Sequence, residues 1–131
     1  MHQPKQITYS GTYMEFEVID NVILASYHSN LYISLEVARK SVVERLEFTG
    51  DQVVPLLVDG TEVKGISKEA RDYFGSEEGS QGLSASAIYT TSKLSAFLAN
   101  FLIKVNLSKT LIPVRLFTDK SKAIEWLKDY V

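Results

Sequence analysis

The hydrophobic period of this chain switches repeatedly between two residues and about 3.6, and that alternation restricts the fold more than any other feature. Met14, Phe16 and Val18 fall on one side of an extended segment and Tyr13, Glu15 and Glu17 on the other. This predicts a half-buried strand over Tyr13 to Val18, near a sheet edge. Asp20-Asn21 follows, two residues that tolerate positive φ, and then the continuous apolar run Val22-Ile23-Leu24-Ala25. Together they predict a hairpin whose second strand is buried on both faces.

From Ser34 the period is helical. Leu35, Ala38, Val42 and Leu46 recur on one stripe, while Glu36, Arg39, Lys40, Glu44 and Glu47 occupy the outer arc. Ser34 is the expected N-cap and Gly50 the expected stop. Val53 to Val58 predicts a parallel strand ending at Asp59-Gly60, with Pro55, which cannot donate to a sheet ladder, marking a bulge. Ser67 to Phe74 reads as a short helix stopped by Gly75 and docked through Ala70, Tyr73 and Phe74. Gly75 to Gly82 reads as a solvated, flexible connector, and Leu83 to Tyr89 as a strand. Leu94, Phe97, Leu98, Phe101, Leu102 and Val105 mark a strongly amphipathic helix. Ile112 to Phe117 is a strand entered at Pro113, and Asp119 caps a last helix in which Ala123, Ile124, Leu127 and Val131 share one face. The order is β-β-α-β-α-β-α-β-α, an α/β domain with a mixed, mostly parallel sheet, an N-terminal antiparallel hairpin and covering helices. The domain is expected over residues 13–131, after a tail at 1–12.

Composition narrows the function. Of 131 residues, 45% are hydrophobic, enough for a core that needs neither disulfide nor metal. A net charge of -2 argues against a nucleic-acid binder, which would gather Lys and Arg against phosphate. The absence of cysteine removes thiol nucleophiles and thiolate metal sites. The polar start, Met1 to Gln6, lacks the apolar stretch of a signal peptide, so the expected location is the cytoplasm. The most hydrophobic window, Leu94 to Leu107, is broken by Asn100 and Lys104 and falls short of the roughly 20 apolar residues that span a bilayer.

Ser86-Ala87-Ile88-Tyr89, the long apolar helix after it, Pro113-Val114-Arg115-Leu116-Phe117-Thr118-Asp119 and Ala123-Ile124-Glu125-Trp126-Leu127 resemble the STAS-like family. The closer resemblance is to its branch of small bacterial domains similar to anti-sigma-factor antagonists. In those antagonists a strand ends in Asp-Ser-Ser-Gly, and the second serine, at the mouth of a helix, is a phosphorylation switch. The resemblance places Asp59-Gly60-Thr61-Glu62 at the equivalent turn and Thr61 at the acceptor position. Glycine there replaces one serine, Glu62 replaces the glycine, and Val63 to Ile66 delays the helix. The resemblance implies a binding or regulatory domain.

Several residues are candidates for a site. Phosphorylated Thr61 would carry about -1.5 to -2 charges, which Asp59 and Glu62 oppose, and the alternative is a turn hydroxyl bonded to local backbone. His28, after the second strand, is a candidate proton carrier or anion donor, or else a surface histidine bonded to backbone. A nucleotide loop at Gly75 to Gly82 is disfavoured: no Lys-Ser/Thr ends it, and Glu77-Glu78 repels phosphate. No cluster suited to a metal and no nucleophile elbow is found, so neither cofactor nor catalytic residue is expected. The stripe of Leu94, Phe97, Leu98 and Phe101 packs against the core, meets a second copy of the chain, or lines an apolar pocket. Trp126, with Tyr130, supports an interface or completes the helix-to-sheet core. The favoured function is a non-catalytic regulatory or protein-interaction module, homodimeric and partnered by a regulatory protein. The competing function is a binder of a small apolar or lipid-like ligand between the sheet and the Leu94 to Val105 helix.

Overall fold

The computed structural model describes residues 8–93, 96 and 111–131. Eight strands and three helices follow one another: β1 (Thr8–Ser10), β2 (Met14–Ile19), β3 (Val22–Tyr27), β4 (Leu31–Ile33), α1 (Leu35–Thr49), β5 (Val54–Asp59), β6 (Val63–Ile66), α2 (Lys68–Phe74), β7 (Leu83–Tyr89), β8 (Val114–Phe117) and α3 (Lys120–Leu127), among the described residues. A 3-10 turn, Lys128–Tyr130, closes the chain. Lys93 and Ala96 are helical, and the rest of the expected Leu94 to Val105 helix lies outside the described residues.

The main sheet has the order β1-β2-β3-β5-β7-β8. β1, β2 and β3 are antiparallel, and β3, β5, β7 and β8 run parallel. This is the mixed α/β sheet that the changing period predicts. Asp20 and Asn21 both take positive φ, 52° and 67°, at the β2–β3 turn. Both central residues must do so in the two-residue hairpin turn that suits strand twist. The ladder between β5 and β7 shifts register between Val54 and Pro55, where the proline was expected to disturb it.

Alternation within β3 and β5 builds two cores. Ile23, Ala25, Tyr27, Val54 and Leu56 face α1 and α2, with Met14, Phe16, Val37, Ala38 and Ala70. Val22, Leu24 and Leu57 face α3 and pack with Ala85, Ala87, Ala123 and Leu127. Helix ends carry the caps that their sequences predict. The Ser34 and Ser67 hydroxyls accept from the amides of Val37 and Ala70, and Gly50, at φ 66°, stops α1.

Four details differ from the sequence reading. Thr8–Ser10, within the segment read as a tail, pairs with β2 as the sheet edge. A small parallel sheet, β4 with β6, adds two short strands. On α1, Glu44 is buried instead of lying on the outer arc, because the β1–β2 connection folds over it: Thr12 donates to its carboxylate. Val131 is 66% exposed, since the last helix gives way to the 3-10 turn before reaching it.

Candidate functional site

On an α-helix, residues four apart lie above one another, so Ser41 and Arg45 share the stripe of α1 that also carries Val37, Ala38 and Val42. That stripe faces the sheet. Ser41 and Arg45 are accordingly buried, at 4% and 3% exposure. Beside them the end of β3 brings in Tyr27, whose ring belongs to the same core.

These three side chains lie at the wall of a cavity of about 180 Å³ between α1, α2 and the sheet. Phe16, Ala25 and Leu56 contribute from the strands, and Phe74 from the end of α2, with Ile88 and Val114 along β7 and β8. The walls are therefore mainly apolar, with polar side chains from Tyr27, Ser41, Arg45, Ser80 and Ser86.

The Gly75 to Gly82 segment closes part of this wall. Sequence reads it as a solvated connector, but Gly79 and Ser80 are buried and line the cavity. A run of local bonds shapes it: the Ser76 hydroxyl donates to Tyr73 O and accepts from Gly79 N, and the Ser80 hydroxyl donates to Ser76 O at 2.7 Å. Arg45 then ties the segment to α1. Its Nη1 donates to Gln81 O at 2.7 Å and its Nη2 to Gly79 O at 3.2 Å.

Burial sets the ionisation of this wall. It pushes the Tyr27 phenol up to about 12, against a smaller opposing effect of the Ser41 hydrogen bond, so the ring stays neutral at pH 7. Burial also lowers Arg45 to about 10, and the guanidinium remains charged at neutral pH. The Ser41 hydroxyl donates to Val37 O at 2.7 Å, so the site offers the Tyr27 hydroxyl as a donor and one positive charge inside apolar walls.

The residues singled out from sequence are spread over the domain. Of the turn Asp59-Gly60-Thr61, Gly60 alone lines the cavity. Thr61 N donates to Asp59 Oδ1 at 3.0 Å, and the Thr61 hydroxyl accepts from Thr91 N at 3.3 Å. β6 follows this turn, and α2 begins later, at the Ser67 cap. His28 sits on the surface with Nε2 3.1 Å from Glu15 Oε1. Trp126 is on the opposite face of the sheet, between Phe117 and Tyr130 at centroid distances of 5.7 and 5.1 Å. Leu94, Phe97, Leu98 and Phe101 lie outside the described residues.

Tyr27, Ser41 and Arg45 were not among those candidates. A signal for two of them is present in the sequence, as polar residues four apart that continue the Val37-Ala38 stripe of α1.

Among the described residues, no helix is long and apolar enough to cross a membrane. No curated protein is significantly similar to this chain. A solved structure from Shewanella loihica PV-4, described as an uncharacterized protein from the DUF3478 family with a SpoIIAA-like fold, superposes with a TM-score of 0.61. It is 17% identical and the match covers 96% of this chain and 99% of that one. The likeness concerns the fold, and it agrees with the STAS-like resemblance of the sequence. Residues 14–131 match the family described as Domain of unknown function (DUF7793). The chain therefore belongs to the DUF7793 family and has a STAS-like, SpoIIAA-like fold.

Proposed function

We propose that this domain is a non-catalytic regulatory module that holds a small apolar or amphipathic ligand in the cavity between α1, α2 and the sheet. The cavity carries the reading. Tyr27, Ser41 and Arg45 stand on β3 and α1, elements that position groups more rigidly than loops. An apolar cavity of about 150 Å³ suffices to take up benzene, so this one suits a molecule of about six to ten heavy atoms. The Tyr27 hydroxyl and the Arg45 guanidinium would orient such a ligand, as a few placed polar groups do in most small-molecule sites.

Native mass spectrometry of protein purified from its own host tests the proposal. The expected spectrum contains a small adduct that denaturation releases, and it also counts subunits, which tests the homodimer expected from sequence. A bare polypeptide whose NMR spectrum is also unmoved by 1-hexanol would overturn the ligand reading.

A further inference from the structure

Arg45 is a buried cation without a counter-ion. Its side chain is 3% exposed as a residue, and its hydrogen bonds run to two neutral carbonyls, Gly79 O and Gln81 O. Ion pairs among the described residues include His28 with Glu15, Lys68 with Asp72 and Lys128 with Glu125. All 16 Asp and Glu side chains of the chain fall within the described residues, because positions 1–7, 94, 95 and 97–110 contain neither residue type. None of those carboxylates pairs with Arg45. The two phenols nearest in electrostatic effect, Tyr73 and Tyr27, are held above their ordinary value by burial and stay neutral.

An unpaired charge in a low-dielectric wall is costly, and an anion brought beside it recovers much of that cost. A guanidinium carries five N–H donors, so bonds to two carbonyls leave N–H groups for another acceptor. Arg45 lines the cavity together with Tyr27 and Ser41, and the remaining walls are mainly apolar. We infer that the ligand is an apolar carboxylic acid, bound as its anion with the carboxylate toward Arg45 and Tyr27 and its hydrocarbon part between Phe16, Leu56 and Ile88. One guanidinium matches one carboxylate in charge and in forked geometry. This inference rests on the ligand reading above and specifies its chemistry.

The test compares hexanoate, 1-hexanol and hexylamine, which share a six-carbon chain, by NMR titration of the full chain at pH 7. Hexanoate is expected to bind at least about ten-fold more tightly than 1-hexanol, with hexylamine weakest. The comparison is stringent, since without a cation a buried carboxylate would bind worse than the alcohol. The 13C-labelled carboxyl of bound hexanoate is expected to titrate at lower pH than the free acid. In Arg45→Met the preference should reverse, with 1-hexanol binding more tightly than hexanoate.

Equal binding of hexanoate and 1-hexanol would overturn the anionic ligand while leaving the cavity reading in place. Resonances of Phe16, Leu56 and Ile88 that move with none of the three probes would overturn both. A preference retained in Arg45→Met would overturn the role of Arg45. Arg45 also ties the Gly75 to Gly82 segment to α1; if its replacement does not fold, the ratio and carboxyl titration in the unmodified protein decide the question.

Discussion

The backbone amide of Thr12 donates to both carboxylate oxygens of Glu44, at 3.0 Å each, and the Thr12 hydroxyl donates to Oε2 at 3.1 Å. Glu44 belongs to α1 and Thr12 to the link between β1 and β2, so this contact holds the edge of the sheet to the helix. Removing the carboxylate leaves a partly buried amide without its acceptor. Glu44→Ala is expected to lower stability by about 1–3 kcal/mol in urea unfolding. Amide exchange at Thr12 should accelerate in the same variant, and Thr12→Val, which retains the amide bond, should cost less.

The β2–β3 turn permits a test of backbone conformation alone. Asn21 has φ 67°, a region that glycine enters freely and β-branched residues avoid. Asn21→Gly is expected to be neutral or mildly stabilising. Asn21→Val should cost roughly 1–2 kcal/mol, read from the shift of the thermal midpoint between the two variants.

Two glycines of the cavity wall differ in the room around them. A Cβ at Gly79 would fall on the carbonyl oxygen of Tyr73 and lie 3.0 Å from Phe74 Cα, whereas at Gly60 the nearest atom, Tyr89 O, is 4.0 Å away. Backbone has to move for the first and not for the second. Gly79→Ala should therefore destabilise by about 1–3 kcal/mol, with Gly60→Ala well below that, in parallel denaturant titrations.

Asp119 links the last helix to pH. Its Oδ1 accepts from Ser121 Oγ at 2.6 Å and from the amides of Ser121 and Lys122. The Ser121 bond is the first cause that holds this carboxyl below its ordinary 3.8, and the Lys122 amide adds to it. A carboxylate with a lowered folded-state value contributes stability above the unfolded value and loses it as pH falls through the folded one. The difference in thermal midpoint between the unmodified protein and Asp119→Ala should thus be constant above about pH 5 and shrink below about pH 4. Asp119→Asn, which keeps a capping oxygen without the charge, should show a difference from the unmodified protein that varies in the same pH range.

Legibility from sequence followed the range over which each feature is determined. Asp20-Asn21, Ser34, Gly50, Ser67 and Asp119 act on backbone within a few residues, and each stands in the structure where local chemistry puts it. β1, β4 and β6 are three or four residues long, too short to establish a period, and β4 finds its partner only through long-range pairing with β6, from Leu31 with Val63 to Ile33 with Ile66. Glu44 looked solvent-facing because its cover, the Gly11-Thr12 link, comes from a distant part of the chain. The cavity was hidden for a related reason: apolar spacing selects Val42 and passes over Ser41 and Arg45, although all three face it.

The alternation of β3 and β5 has a consequence for how the domain comes apart. Val22 and Leu24 support the α3 side while Ile23 and Ala25 support the α1 side, and Leu57 and Leu56 divide in the same way. Neither layer has a wall of its own, so loosening one removes the floor from beneath the other. Such a shared wall ties both layers into a single cooperative unit. The slowest-exchanging amides should cluster in β3 and β5, opening only when the whole domain does, while the three-residue rim strand β1 exchanges through local fraying.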